Sequence, residues 1–345
     1  MDNFLQAFSL PYCLVTSFKN FLYSLKILKT EKAPFPVISV GNIVFGGSGK
    51  TPLALHLIDC FLNSGLKPAL IFRGYRGGWE KIGGIISDGK TLRGSWKDSG
   101  DEPYMAASRF PQAGVFVGKG RLLSSLLAKT LGFDLAVLDD GFQYRELQRE
   151  VDIVLYDSEN SLPWREFPSA LQRSDIVLVK KGRELNLKKR LQKYGLSVFS
   201  YSVLSVGYQS LRSKEMLPPQ AFQGKRGLAF SGIARPHRFF SFLKKEKIDL
   251  VSSLAFPDHH PYPEKSVAKI VSNFRQFKPE VVITTEKDAV KLDAGSSRLK
   301  TLPLYFLRIE LEIEADFYLE LSRKLNKAGL KIEALNPRLS SPQIR

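Results

Sequence analysis

The stretch that decides how this chain is read is Gly46-Gly47-Ser48-Gly49-Lys50-Thr51. Glycines allow successive backbone N–H groups to turn inward around a polyphosphate, whereas side chains at those positions would block the approach. The ammonium group of Lys50 can reach the outer phosphates, and the hydroxyl of Thr51 can hold a magnesium ion. The stretch therefore predicts a P-loop, a turn that binds the phosphates of a nucleotide.

The segments on either side of this loop agree with that prediction. Residues 35–40 form an apolar run that reads as a buried strand, and residues 52–58 begin a helix with Pro52 in its first turn. A strand, a glycine loop and a helix N-terminus together make an anion-binding site, to which the helix dipole contributes. The strict P-loop pattern asks for glycine at position 44, where this chain has Val44. The alternative interpretation is therefore an ordinary glycine-rich turn.

The composition indicates a folded, soluble, intracellular protein. The chain has 345 residues, which is enough for two domains, and its 43% apolar and 25% charged residues are ordinary for folded proteins. Its two cysteines, Cys13 and Cys60, form no spaced framework, which is typical of a reducing cytoplasm. We expect no secretory signal, since no cleavage pattern follows the N-terminus.

The charge balance favours a polyanionic partner. Lysine and arginine number 51 against 34 acidic residues, which gives a net charge of +17. Such a chain suits nucleic acid, anionic lipid headgroups or a phosphorylated substrate. The sequence contains no visible recognition helix, zinc-ligand spacing or aromatic RNA-binding motif, so we expect no nucleic acid, and no obligate protein partner is indicated. The alternative is that the charge only keeps the surface soluble.

The first 32 residues bear on the choice of partner. Their apolar residues recur at helical spacing with Pro11 as a break, and polar residues interrupt the run, so we expect no transmembrane helix. One interpretation is a basic amphipathic helix that lies on an anionic membrane surface, and the other is a helix packed on its own domain. The apolar residues are Phe4, Leu5, Phe8, Leu14, Val15, Phe18, Phe21, Leu22, Leu25 and Leu28, and the lysines are Lys19, Lys26, Lys29 and Lys32.

Beyond the P-loop the chain alternates strands and helices, as a mainly parallel sheet requires. Apolar runs that read as strands occupy residues 68–72, 135–138, 151–156 and 176–179. Functional residues are expected just past the carboxyl ends of such strands. Asp139 and Asp140 lie at such a position, so we predict that they and Thr51 hold a magnesium ion. A tight Asp-Gly turn is the alternative.

The pattern predicts an α/β protein with two domains. The larger is a P-loop NTPase-type, mainly parallel sheet with helices on both faces, and the second is a smaller α/β domain. Polar stretches at 181–193 and 205–225 separate the two. We place the N-terminal helix region at 1–32, the P-loop domain at 33–205, the smaller domain at 206–335 and a tail at 336–345.

Two polar clusters interrupt otherwise apolar surroundings. Ser99-Gly100-Asp101-Glu102-Pro103 places two carboxylates in a turn, and residues 256–262 hold His259 and His260 directly after a strand. No third metal ligand is visible at a suitable spacing, so zinc is the lesser interpretation of the histidines. A histidine that orients a carboxylate for proton transfer is the sharper hypothesis. Capped turns remain the alternative for both clusters.

Several short motifs follow one another along the chain, and together they carry a resemblance. They are Val40-Gly41-Asn42, the P-loop with Pro52, Arg73-Gly74-Tyr75, Gly100-Asp101-Glu102-Pro103, Asp139-Asp140-Gly141-Phe142-Gln143, Arg165-Glu166 and Thr285-Glu286-Lys287-Asp288-Ala289-Val290. With these motifs the chain resembles the tetraacyldisaccharide 4'-kinases, which make lipid A in Gram-negative bacteria. The resemblance runs from about residue 36 to about residue 292. It also accounts for Val44, because the family's loop has the same displaced form.

The resemblance implies an enzyme that transfers the γ-phosphate of ATP to the 4'-hydroxyl of a tetraacylated glucosamine disaccharide 1-phosphate, giving lipid IVA. It implies ATP and Mg²⁺ as cofactors and a lipid-linked disaccharide as substrate. It places the enzyme peripherally on the cytoplasmic face of the inner membrane. It also implies a short two-stranded linker between the two domains, with closure between them.

The resemblance further implies a role for each matching residue. Lys50 and the rest of the P-loop, residues 46–51, would bind the nucleotide, while Asp101 would be the base, paired with His259 or, less well matched, His260. The implied magnesium ligands are Thr51, Asp139, Asp140 and Glu166. The implied substrate contacts are Arg73, Tyr75, Arg121, Gln143, Tyr144 and Arg165. The chain departs from the family at Tyr144, where histidine is usual, and at Ser161-Leu162-Pro163-Trp164, where a glycine-proline form is usual.

Two other functions stay open on the sequence. The first is a P-loop kinase that acts on a soluble acceptor. The second, motivated by the charge of +17, is a non-catalytic, nucleotide-gated module that binds membrane or nucleic acid.

Overall fold

The computed structural model describes residues 2–45, 49–156, 163–182, 184–292, 298–333 and 335, with the backbone alone at 2–9 and 184–186. These residues form two compact units. The first unit contains the described residues up to 202 together with those from 311 onward, and the second contains residues 203–310.

The order of helices and strands follows the predicted alternation. The strands are β1 Val37–Asn42, β2 Pro68–Phe72, β3 Gly84–Asp88, β4 Gly114–Val117, β5 Leu135–Asp139, β6 Val151–Tyr156, β7 Ile176–Lys180, β8 Ser197–Ser210, β9 Met216–Leu217, β10 Arg226–Ser231, β11 Asp249–Ala255, β12 Val281–Thr285 and β13 Leu304–Ile313. The α-helices are α1 Asp2–Ser24, α2 Lys50–Asn63, α3 Trp96–Ser99, α4 Asp101–Arg109, α5 Arg121–Thr130, α6 Glu184–Gln192, α7 Pro236–Lys245, α8 Glu264–Phe277, α9 Glu286–Ala289 and α10 Ala315–Lys327. Short 3-10 helices span Pro168–Arg173 and Pro219–Phe222.

The sheet of the first unit is mainly parallel, as predicted. Its strands lie in the order β8-β7-β6-β1-β5-β2-β4-β3, and the edge strand β3 runs antiparallel to β4. Every residue of β1, β2, β5 and β6 is buried, because helices cover a parallel sheet and leave no strand face to water. Helix α2 packs on β1, β2 and β5, and helix α6 packs on β7.

The parallel pairing brings the sites of interest to one edge of this sheet. Strand β1 lies between β5 and β6, and Val40 of β1 is in register with Asp139 of β5. The carboxyl ends of β1, β2 and β5 therefore meet, and the loops that follow them are neighbours. In open α/β sheets ligands bind outside this edge.

The second unit is also a parallel α/β structure. Its strands lie in the order β11-β10-β12-β13, with β9 antiparallel to β8. Strands β8 and β13 each begin in one unit and end in the other.

Residues 311–335 belong to the first unit, although the sequence placed them in the smaller domain. Helix α10 packs against β6 and buries Phe317, Leu321 and Leu325. An apolar helix face does not by itself specify which sheet covers it, so the sequence could not place this helix. Among the described residues, no helix is both long and apolar enough to cross a membrane.

Candidate active site

Helix α2 starts at the P-loop and brings Lys50 and Thr51 to its first turn. The residue before it, Gly49, has a left-handed backbone with φ 86° and ψ 15°. A Cβ at Gly49 would lie 3.7 Å from Leu155, so the conformation rather than the space requires glycine. Gly46, Gly47 and Ser48 lie outside the described residues, and their predicted phosphate contacts stay a prediction.

Lys50 is held at two points beside the end of β1. Its Nζ lies 3.2 Å from Oδ1 of Asp140 and 3.2 Å from Oδ1 of Asn42. Only 13% of the Lys50 side chain is exposed. The ammonium group is thus fixed at the N-terminus of α2, where a bound phosphate would meet both its charge and the helix dipole.

Thr51 and Asp139 form the pair expected at a magnesium site. The Thr51 hydroxyl donates to Oδ2 of Asp139 at 2.8 Å. Oδ1 of Asp139 is buried and has no hydrogen-bond partner within the described part of the chain. Burial, followed by the negative charges of Glu102 and Asp140, raises the pKa of Asp139 to about 7. A carboxylate with this unsatisfied oxygen is suited to a cation.

Asp140 faces positive charge instead. Its backbone is left-handed, with φ 55°. Nη1 of Arg165 donates to both oxygens of Asp140, at 2.7 and 2.8 Å, and Lys50 lies on the same carboxylate. Partial burial would raise the pKa of Asp140, but Lys50 and Arg165 outweigh it and hold that pKa below its ordinary value.

Arg165 is fixed by the loop that leads into the P-loop. Its backbone N–H donates to the Ile43 carbonyl at 2.8 Å, and its guanidinium lies 5.3 Å from the centre of the Phe45 ring. Phe45 directly precedes the predicted phosphate loop, so Arg165 lies beside the expected position of the nucleotide phosphates.

Asp101 begins helix α4 and is 4% exposed. Its Oδ1 accepts from the backbone of Glu102 at 3.0 Å. The turn before it packs closely on another turn, since a Cβ on Gly77 would lie 2.5 Å from the carbonyl carbon of Ser99 and 2.6 Å from the nitrogen of Gly100. This packing fixes the backbone that carries Asp101.

The four other predicted substrate residues of this region form two pairs. Arg73 donates to Glu80 at 3.0 Å, and its guanidinium lies 5.7 Å from the ring of Tyr75, which is 56% exposed. Arg121 is buried at the start of α5, and its guanidinium lies 4.9 Å from the Tyr144 ring. Its Nη2 also reaches the carbonyl of Asp139 at 3.4 Å.

Gln143 and Glu166 pair with each other. Nε2 of Gln143 donates to the Asn42 carbonyl at 2.8 Å and to Oε1 of Glu166 at 3.0 Å. Oε2 of Glu166 accepts from Asn20 at 2.7 Å and from Arg173, and the residue is 1% exposed. Both oxygens of Glu166 thus accept from side chains, and its place at the magnesium ion stays a prediction.

His259 belongs to the second unit, where the two predicted motifs of that unit meet. Its Nε2 lies 3.4 Å from Nζ of Lys287, and that ammonium group is 3.4 Å from Oδ1 of Asp258. His260 instead stacks on Phe256 with ring centres 4.8 Å apart. Its Nε2 is also hydrogen-bonded to Ser266 at 2.7 Å. His260 is thus bound into the packing, whereas His259 contacts charged side chains, and the choice between them as the partner of Asp101 stays a prediction.

Comparisons with known proteins identify the family of this chain. The family model for tetraacyldisaccharide-1-P 4'-kinase matches residues 1–326. The chain belongs to the tetraacyldisaccharide-1-phosphate 4'-kinase family. The family and enzyme class predicted from the sequence are confirmed.

Relatives in this family match nearly the whole chain. The tetraacyldisaccharide 4'-kinase of Pelobacter propionicus is 35% identical over 319 residues, covering 89% of this chain and 87% of the relative. That of Desulfotalea psychrophila is 36% identical, covering 89% and 91%. The crystal structure of "apo" form LpxK from Aquifex aeolicus in complex with ATP has a TM-score of 0.73 and 28% identity, covering 95% of this chain and 98% of that one. The predicted α/β fold is therefore confirmed.

In each unit, some candidate functional residues were missed from the sequence. Asn42 holds Lys50, Glu102 acts on Asp139, and Lys287 lies on His259. Each lies within a motif that carried the family resemblance, but the sequence did not show which residue it contacts.

Proposed function

We propose that this chain transfers the γ-phosphate of ATP to the 4'-hydroxyl of the lipid-linked disaccharide at the site formed by Lys50, Thr51 and Asp139, giving lipid IVA. The observation that carries the assignment is the Thr51–Asp139 hydrogen bond of 2.8 Å at the start of α2, beside the fixed ammonium group of Lys50. Phosphoryl transfer relies on positioning and charge neutralisation, and this arrangement supplies both.

The residues present fit a magnesium ion. Among the described residues there is no cluster of three or more histidine, cysteine, aspartate or glutamate side chains able to hold a metal. Magnesium needs no such cluster, because it is usually held by one or two carboxylates together with phosphate oxygens and water. Oδ1 of Asp139, which has no hydrogen-bond partner among the described residues, and the Thr51 hydroxyl would hold it. Bound there, it would neutralise negative charge on the β- and γ-phosphates.

Two cations of the chain would stabilise the transferring group. Lys50 and Arg165 both lie on Asp140, which holds them in place. A polyphosphate would offer the same cations more negative charge than one carboxylate does. We therefore assign Asp140 as the group that holds Lys50 and Arg165 next to the expected position of the phosphates. This role is in addition to its predicted place at the metal.

Asp101 is our proposed base for the acceptor hydroxyl. It is buried at a rigid turn, and a carboxylate there can accept the alcohol's proton late in the transfer. His259 belongs to the other unit, so its pairing with Asp101 stays a prediction from the sequence.

The assay is ATP-dependent phosphorylation of tetraacyldisaccharide 1-phosphate, with the product identified by mass. Lys50→Ala and Asp101→Asn should each reduce turnover by at least about 100-fold, as expected for groups that act on the reacting atoms. The matched controls are Lys67→Ala and Asp249→Asn, since both residues are exposed and lie outside the site. Full activity of either site variant would refute its assignment.

We further propose that helix α1 binds the enzyme to the anionic cytoplasmic face of the inner membrane. Its exposed apolar side chains include Leu10, Leu14, Val15, Phe18 and Phe21, each at least 57% exposed. Lysines at 19, 26, 29 and 32 accompany them. An apolar face with flanking positive charge is what binds a helix to an anionic lipid surface.

Sedimentation with vesicles that contain anionic phospholipid tests this membrane assignment. The double variant Phe18→Ser and Phe21→Ser should weaken binding at least about tenfold, because it loses two apolar side chains that would move from water into the lipid. Leu319→Ser is the matched control, since Leu319 is 58% exposed on α10. Equal binding by the α1 variant and the control would refute a role for α1.

A further inference from the structure

Helix α1 is packed against the loops that border the ATP site. The Tyr12 ring meets the Phe45 ring edge-on, with centres 5.1 Å apart. The Cys13 thiol donates to the Trp164 carbonyl at 3.4 Å. Phe45 directly precedes the P-loop and Trp164 directly precedes Arg165. The inner face of α1 therefore contacts both segments that carry the cationic groups of the site.

A series of hydrogen bonds runs from α1 to the P-loop lysine and passes from the backbone to the side chain at Asn42. Asn20 Nδ2 donates to Glu166 at 2.7 Å, and Gln143 Nε2 donates to the other oxygen of Glu166 at 3.0 Å. The same Gln143 nitrogen donates to the Asn42 carbonyl at 2.8 Å. The Asn42 side chain then accepts from Lys50 at 3.2 Å. Four contacts therefore separate α1 from the group expected on the phosphates.

Burial makes this series sensitive to its first member. Glu166 is 1% exposed, so its charge depends on protein donors, and Arg173 supplies one of them. Loss of the Asn20 donor would leave a buried oxygen less satisfied, and the carboxylate would turn toward what remains. Both N–H groups of the Gln143 amide are in use, so a turn of Glu166 would disturb its bond to Asn42.

We propose that Asn20 and Glu166 are positioning residues that make α1 a structural part of the ATP site. The Asn20–Glu166 hydrogen bond holds Gln143, Gln143 holds Asn42, and Asn42 holds Lys50. The position of α1 and the affinity for ATP are then coupled, and by linkage each affects the other. The inference rests on the proposed role of Lys50 in ATP binding, and it stands whether or not α1 also binds a membrane.

The test is equilibrium binding of ATP with Mg²⁺ to the full chain without lipid, measured by calorimetry. Asn20→Ala should raise the Kd for ATP about fivefold or more, within the usual range of coupling between sites. Thr16→Ala is the matched control on the same helix, because the Thr16 hydroxyl donates to the Tyr12 carbonyl of α1 itself. Its Kd should equal that of the wild type.

A second pair of variants tests whether the effect of Asn20 on ATP binding passes through Glu166. Glu166→Gln keeps the size and removes the charge, and in that background Asn20→Ala should raise the Kd by much less than it does alone. Misfolding would lower the number of binding sites per chain and leave the Kd of the folded fraction unchanged. In the kinase assay the Asn20→Ala effect should fall on the KM for ATP, with the KM for the lipid substrate unchanged.

The outcomes separate this inference from the proposed function. An unchanged Kd for Asn20→Ala, or the same rise for Thr16→Ala, would overturn the inference. Equal effects of Asn20→Ala with and without Glu166→Gln would overturn it too, because the effect would then bypass Glu166. Lys50→Ala is the reference for the proposed function, and unchanged ATP affinity in that variant would refute the function itself.

Discussion

Acid should destabilise the first unit through His56, which lies on the P-loop helix α2. Its Nε2 shares a hydrogen bond of 2.8 Å with the hydroxyl of Tyr318 on α10, and the Cys60 sulfur is 3.6 Å from the same nitrogen. Removal from water, followed by the positive charge of Arg109, lowers the pKa of His56 from 6.5 to about 4. The neutral imidazole is therefore the form that joins α2 to α10.

The sign and size of the effect follow from this pKa. Between pH 6.5 and 4 the unfolded chain binds the proton at His56 more readily than the folded chain does, so stability falls as the pH falls. At about 1.4 kcal/mol for each pKa unit, the loss is about 2 kcal/mol at pH 5 and approaches about 3.4 kcal/mol well below pH 4. Asp139 contributes with the opposite sign, because its folded-state pKa is raised to about 7. The quantity to measure is therefore the difference between wild type and a His56 variant.

Urea unfolding followed by tryptophan fluorescence provides this measurement. Trp79, Trp96 and Trp164 all belong to the first unit, so the signal reports the unit that contains His56. Between about pH 7.5 and 5 the unfolding free energy of His56→Gln should fall about 2 kcal/mol less than that of the wild type. His237→Gln, at an exposed position on α7, should behave as wild type. The reasoning is refuted if His56→Gln keeps the pH dependence of the wild type.

Three further predictions concern the active site. Because the pKa of Asp139 is raised to about 7, the Mg²⁺ concentration for half-maximal activity should rise about tenfold for each pH unit below 7, and a requirement that does not change with pH would contradict this. Arg165→Lys replaces the planar guanidinium, which lies on Asp140 and beside the Phe45 ring, by a shorter ammonium side chain, so kcat should fall about tenfold or more, corresponding to about 1.5–3 kcal/mol. An unchanged kcat would count against Arg165. Gly77→Ala would place a Cβ 2.5 Å from the backbone before Asp101, so kcat should fall while the affinity for ATP is kept. The control is Gly78→Ala, whose Cβ would lie 3.7 Å from the nearest atom. Equal activity of the two variants would argue against this packing.

The sequence was sufficient to predict that Thr51 and Asp139 lie close together, although 88 residues separate them. Each comes directly after a buried apolar run or the turn that follows it, and parallel strands end at one edge of a sheet. Val40 of β1 is in register with Asp139 of β5, so these two strands end side by side. Local pattern and one topological rule therefore predicted that these two side chains lie together.

The supporting contacts could not be predicted in this way. Asn20 and Glu166 are 146 residues apart, and neither stands in a pattern that indicates its partner. The resemblance implies Glu166 as a magnesium ligand, but its burial and its three side-chain donors, Asn20, Gln143 and Arg173, could not be predicted from its place beside Arg165. Helix α10 shows the same limit, since an apolar face does not specify which sheet covers it.

The adjacent carboxylates Asp139 and Asp140 show how one strand end can provide two different functions. Asp139 ends β5 in an extended backbone, where it meets Thr51 and keeps one oxygen without a partner among the described residues. The left-handed backbone of Asp140 turns the next carboxylate toward Lys50 and Arg165. The pKa of Asp139 is raised and that of Asp140 is lowered, so these neighbouring carboxyl groups lose their protons at different pH. A cation would therefore find its ligand at Asp139, while Asp140 keeps the cations of the chain in place for the phosphates.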